Sequence, residues 1–194
     1  LFVENLKLAN ELNNILNKEN NNRGFIEFMS SDLYIELDEK NKPLEFNNPQ
    51  QRTAEKIIEN FMLLANKTVA TNYSWLPFIY RIHEIPDKDT VINILEFLKK
   101  LGYKIPVIKN VENPKCLQGI LKKLSKDNDF KIISNFILRS MNKARYSNEY
   151  LGHFALAYEF YTHFTSPIRR LCDLMVHILI DKYEENNFII NEEK

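Results

Sequence analysis

Arg169 and Arg170 close the run Tyr161-Thr-His-Phe-Thr-Ser-Pro-Ile-Arg-Arg170, and Leu171-Cys-Asp-Leu-Met-Val-His177 follows it. Ser166 suits a helix N-cap, because its hydroxyl accepts from a free first-turn N–H. Pro167 suits the first helical position, where no N–H is needed. Ile168, Leu171, Leu174, Met175, Ile178 and Leu179 recur at the spacing of one buried helical face. A helix start carries unpaired N–H groups and partial positive charge, so cations there are disfavoured unless an anion is bound. Two arginines at that point indicate a phosphate. Arg169, Asp173 and His177 are spaced i, i+4, i+8 and share a face, which places Asp173 to steady Arg169 and to accept from His177. A solvated charge stripe has the same spacing.

A second pair with chemical potential is Arg81 and His83, on one face of the strand-like run Trp75–Pro86, opposite Tyr80 and Ile82. Such a pair contacts phosphate, or is a plain surface pair; the spacing is the same. The four histidines (His83, His153, His163, His177) match no zinc pattern, and Cys116 and Cys172 are not interleaved with them. The eight aspartates, from Asp32 to Asp181, are single or in spaced pairs. No metal site is expected within this chain, since a divalent ion needs several oxygen ligands held close together.

The elements that must carry these residues are mostly helical. Leu1 to about Asn17 reads as an amphipathic helix with Leu6, Leu8, Leu12, Ile15 and Leu16 apolar. Phe25–Phe28 and Leu33–Leu37 read as short strands, Asn41-Lys-Pro43 as a turn, and Leu44–Phe46 as a third strand. Pro49 to about Tyr73 is a long helix, with a broad apolar face from Ile57, Ile58, Phe61, Met62, Leu64, Ala65 and Val69. Further helices are expected over Asp87–Leu101, ended by Gly102, and over Pro114–Leu124 and Phe130–Ala144. The expectation is one α+β domain over 1–194, mostly helical with a small antiparallel sheet and a frayed tail after Tyr183.

With 26 basic and 26 acidic residues, the chain carries no basic coat, so a nucleic-acid site must be a local groove. The cluster Lys122, Lys123 and Lys126 reads as solvated surface. No apolar run is long enough to span a membrane, and the two separated cysteines suit a reducing, cytoplasmic setting. A chain that opens on Leu1 already in helical pattern is expected to be a piece of a longer protein.

Five segments, in order, resemble the RNB-domain exoribonucleases of the ribonuclease II and ribonuclease R type. Ile58-Glu-Asn-Phe-Met-Leu-Leu-Ala-Asn66 resembles the family's apolar-E-E-x-M-x-x-A-N, with Asn60 in place of the second glutamate. Tyr80-Arg-Ile-His-Glu84 resembles aromatic-R-x-H-E. Leu138-Arg-Ser-Met141 with Ala144, Tyr146 and Ser147, then Gly152-His-Phe154, resemble two further motifs. Thr165 to Arg170, Asp173, Leu174 and His177 match the T-S-P-I-R-R signature, while Leu171 and Cys172 depart from it.

The resemblance implies processive 3′-to-5′ hydrolysis of single-stranded RNA to nucleoside 5′-monophosphates, with Mg2+ on an aspartate cluster. That cluster has no counterpart here, so the chain is expected to be the C-terminal part of the catalytic domain, with the Mg2+ ligands outside it. By resemblance, Glu59, Arg169 and Arg170 are catalytic. Phe28, stacking on a base, and Arg81, His83, Arg139, Glu159, His163, Thr165 and Ser166 contact RNA. Asp173 and His177 support them. The partners implied are single-stranded RNA and RNA-decay machinery. The rival expectation is a non-catalytic RNA-binding module that lacks the metal-binding aspartates.

Overall fold

Tyr80, Arg81 and Ile82 form the strand on which the middle of the molecule is hung. In the computed structural model they make β3 (Tyr80–Ile82), which pairs antiparallel with β4 (Arg145–Ser147) and sets Arg81 directly opposite Tyr146. The other edge of β3 holds the segment that leads to the arginines. Arg81 N donates to Tyr161 O at 2.8 Å, and His83 N to Gly152 O at 3.0 Å. The structure describes residues 2–28, 34–47, 52–105, 110 and 112–186, with only the backbone of Tyr34, Phe46 and Asn47. Leu1, Leu33, Pro49 and the tail beyond Asn186 lie outside the described residues.

The rest is helical, with six helices and two separate two-stranded antiparallel ribbons among the described residues. The first ribbon is β1 (Tyr34–Leu37) on β2 (Pro43–Asn47), joined by a turn in which Asn41 takes φ 58°. Asp38 Oδ1 holds that turn by accepting from Lys40 N and Lys42 N, both at 2.8 Å. Phe25–Phe28, expected as a strand, is instead an extended segment in no ladder: Phe25 N donates to Asn20 O at 3.0 Å, Ile26 N donates to Ala155 O at 2.8 Å, and Ile26 is buried.

α3 (Lys88–Lys100), α4 (Pro114–Leu124) and α5 (Phe130–Ser140) enclose the larger core, built from Val91, Ile94, Leu98, Leu117, Ile120 and Ile133, among others. Their boundaries have local causes. Gly102 takes φ 89° after α3, and Asn113 accepts from Lys115 N at 3.0 Å ahead of Pro114. α5 stops at Ser140, four residues before the expected end, because Arg145–Ser147 is taken by the ribbon with β3.

α1 (Phe2–Arg23) and α2 (Thr53–Asn72) depart from their apolar patterns. Leu6, Leu8, Leu12 and Ile15 are exposed, and the buried residues of α1 are Asn13, Leu16 and Asn20. Asn60 of α2 is the reason. Its Nδ2 donates to Asn13 Oδ1 at 2.6 Å and to Asn17 Oδ1 at 2.9 Å, and its Oδ1 accepts from Asn20 at 3.1 Å. Amides that satisfy one another are buried at little cost. On α2, Ile58 is exposed, the other expected apolar residues are half-buried, and Asn60, Leu63, Asn66 and Ala70 are buried.

α6 (Leu171–Glu185) corrects the expected helix start. Its N-cap is Arg170, not Ser166, and residues 167–169 form a turn ahead of it. Its buried residues are Asp173 and Val176, whereas Ile168, Leu171, Leu174, Met175 and Ile178 are exposed. The apolar spacing was real, but the side that packs on Ala70, Phe78, Tyr80 and Ile82 is the one carrying Val176.

Candidate anion site at the arginine loop

The loop from Thr165 to Arg170 is held by one carboxylate. Asp173 is fully buried in the first turn of α6, and its Oδ2 accepts from Ser166 N at 2.9 Å and from Arg170 Nη2 at 2.7 Å. Ser166 O in turn accepts from Arg169 N and Arg170 N. The two arginines therefore do different things. Arg170 is partly covered and clamped. Arg169 is exposed and makes no side-chain hydrogen bond or ion pair among the described residues. Asp173 was expected to steady Arg169 and to accept from His177. It does neither, because Arg169 lies in the turn before the helix and the i, i+4 relation does not apply. His177 instead donates from Nε2 to Phe164 O at 2.9 Å, with its ring stacked on Phe164 at 4.1 Å.

The ribbon adds a third guanidinium. Arg81 sits over the Tyr146 ring, 4.8 Å from its centroid, as opposite residues on paired strands can. The Tyr146 hydroxyl is 2.8 Å from His163 Nδ1. His163 is pushed down to about 4, first by burial and then by Arg170; Asp173 opposes this, while Arg81 and Arg169 add to it. One imidazole thus feels all three arginines, and it is neutral at pH 7. Burial raises the Tyr146 phenol, against the pull of Arg81 and Arg170.

Residues the motif reading passed over position this group. Asn66 is fully buried; its Nδ2 donates to Tyr161 OH at 3.1 Å, and its Oδ1 accepts from Phe164 N at 3.0 Å. It ties the segment to α2 on either side of His163. Thr162 Oγ1 donates to Ile79 O at 2.6 Å. Tyr161, pushed up to about 12 chiefly by burial, stacks on Tyr158, and Arg23 covers Tyr158 at 4.1 Å. Asn66 and Tyr146 lay inside recognised motifs, but only their distant partners disclose what they do.

The other expected residues are dispersed. His83 is buried, and its Nδ1 accepts from Ala155 N at 3.2 Å. His153 accepts from Leu156 N at 3.3 Å, and the two rings meet edge to face at 5.2 Å. Burial lowers both, His153 to about 3 with help from His83. They brace the turn after β3, so His83 is a fold residue in this structure. Phe28 is half-buried against the larger core. Glu59 lines a groove between α1 and α2 with Asn17, Asn20, Lys56 and Asn60. Arg139 is exposed in the last turn of α5, and Glu159 and Thr165 are exposed.

The group presents donors. The charges acting on His163 are three guanidiniums and one carboxylate, and Asp173 Oδ2 is already engaged twice. Among the described residues, no three His, Cys, Asp or Glu side chains come together to hold a metal ion. These residues fit a phosphate and do not fit magnesium.

The strand ribbon and helix start of this α+β domain bring arginines around a neutral histidine, an arrangement that can hold an anionic group. The family model for the RNB domain matches residues 2–186, and the chain belongs to that family. It is 43% identical over 186 residues to "Ribonuclease R 1" of Lactococcus lactis, an alignment covering 95% of this chain and 23% of that protein. Two solved structures of Mycoplasma genitalium RNase R share the fold at 31% identity. The complex with ribose methylated single-stranded RNA has a TM-score of 0.88 over 98% of this chain and 30% of that one. The complex with double-stranded RNA has a TM-score of 0.87 over 96% and 34%. The chain spans about a quarter of the length of the relatives it matches.

Proposed function

We propose that this chain is the RNA-gripping part of a 3′-to-5′ exoribonuclease that hydrolyses single-stranded RNA processively to nucleoside 5′-monophosphates, acting in the cytoplasm with RNA-decay machinery. The observation that carries the reading is Arg169, exposed on a loop pinned by Asp173, with Arg170 and Arg81 alongside. Arg169 donates to a backbone phosphate. Arg170, locked to Asp173, fixes the loop and adds charge. The complexes of Mycoplasma genitalium RNase R with single-stranded and double-stranded RNA support RNA as the ligand. The reading assigns magnesium to carboxylates outside this chain, where it would stabilise charge on the reacting phosphate.

A second reading is a binding module without hydrolysis, favoured by the lack of an acidic cluster among the described residues. One experiment separates the two and tests both. The 194-residue chain is titrated with a labelled single-stranded oligoribonucleotide and incubated with it in magnesium. Weak binding is expected, with a log–log salt slope of about −0.7 per neutralised phosphate, and no shortening of the strand. Arg169→Ala is expected to lose about tenfold or more in affinity, the scale of a charged hydrogen bond, with an unchanged Tm. Equal affinity in wild type and Arg169→Ala overturns the assignment. Shortening that an Arg169/Arg170 double variant abolishes would put the catalytic centre within this chain. Hydrolysis restored by adding the aspartate-bearing part of the domain favours the enzyme; binding alone favours the module.

A further inference from the structure

We propose that Tyr146 is a positioning residue of the arginine site: its hydroxyl donates to His163 Nδ1 while its ring seats the Arg81 guanidinium, so that a His163 Nε2–H and Arg81 serve one bound phosphate together. The inference rests on the phosphate reading of the site and adds a residue and a tautomer to it.

Three observations carry it. Arg81 and Tyr146 are register partners on β3 and β4, so the backbone fixes their pairing. The guanidinium lies 4.8 Å from the ring centroid and the hydroxyl 2.8 Å from His163 Nδ1, so one side chain touches both groups. His163 is also bounded edge-on by Tyr161 at 5.9 Å, which leaves the ring little freedom to turn.

The bond to Nδ1 has two possible directions, and the surroundings choose between them. A cation on the face of a phenol draws electron density from the ring and makes the O–H a better donor. If the phenol donates to Nδ1, the proton of the neutral imidazole is on Nε2. The charged groups around His163 are Arg81 from β3, and Arg169, Arg170 and Asp173 from the loop and first turn of α6; Tyr146 comes from β4. A phosphate diester brings only acceptors. An Nε2–H matches it, and a bare Nε2 lone pair does not. Burial keeps the phenol protonated and the imidazole neutral, as the arrangement requires.

The test is a long-range proton–nitrogen NMR correlation of His163 in the 194-residue chain, with binding of inorganic phosphate and of a short single-stranded oligoribonucleotide. At neutral pH the wild type is expected to show Nδ1 bare and Nε2 protonated. Tyr146→Phe keeps the ring and loses the hydroxyl. It is expected to mix the two tautomers and to weaken oligoribonucleotide binding by about twofold to tenfold, the scale of one hydrogen bond, with an unchanged Tm. Tyr146→Leu removes the seat for Arg81 as well and is expected to bind more weakly still. A protonated Nδ1 in the wild type overturns the proposal, and that measurement needs no variant to fold. A Tyr146→Phe chain with unaltered tautomer and affinity overturns it too. If the wild type binds neither probe, the phosphate reading itself fails, while the tautomer still decides the Tyr146–His163 bond.

Discussion

Adjacent residues of one type have separate jobs in the arginine loop, and two half-buried histidines show how local surroundings assign such jobs. His153 and His163 have folded values of about 3 and about 4, against 6.5 for the free side chain. Between those values and 6.5 the unfolded chain binds more protons than the folded one, so stability falls as pH falls through that window. Above 6.5 both states are neutral there and the histidines add no slope. Tm is therefore expected to drop between about pH 7 and about pH 5. His153→Asn should flatten the slope, because an amide oxygen can still accept from Leu156 N but cannot titrate in this range. Thermal melts at a series of pH values decide it. A wild-type Tm that is level across the window would mean that these rings are not held neutral by the fold.

Between elements, the α1–α2 contact is specified by amides. Asn60 bonds to Asn13, Asn17 and Asn20, and Arg23 Nη2 donates to Asn20 Oδ1 at 2.6 Å. Asn60→Ala leaves buried amide atoms without partners, each worth about 1–3 kcal/mol. Urea unfolding should show a loss of at least that size, and a loss like that of an exposed Asn would show the ladder to be incidental. The sequence was legible where a local signal sufficed: Asn113-Pro114 opens α4 at the expected residue, and Gly102 follows α3 as expected. It misled at α1 and α6, where Leu8, Leu12, Leu171 and Met175 keep helical spacing yet stay exposed. Periodicity says which side chains are apolar. Which face a neighbour covers depends on that neighbour, and here α2 offers Asn60. The sequence proposes an anion site at the arginine run, but the pairing of Asp173 with Arg170 hinges on where the helix begins. Tyr146 and His163 are brought together by β3, which pairs with β4 on one edge and bonds to Tyr161 on the other.

At the scale of the molecule, a chain with no net charge sets Arg169 and Arg170 side by side in one loop, and with Arg81 of β3 they act on His163. That loop depends on side chains remote in sequence. Asn66 reaches Tyr161 across 95 residues and Phe164 across 98. By contrast, α4 and α5 pack on each other a few residues apart in the chain. Closing a long loop costs conformational entropy before any contact repays it, so distant pairings form late. During refolding, Phe164 N–H is expected to gain protection from pulsed hydrogen exchange after the amides of α4 and α5. Simultaneous protection would show that the segment does not wait for α2. The consequence lies in time: a newly made chain holds its helices before it sets the arginine loop, so the proposed RNA contact is the last part of the domain to become available.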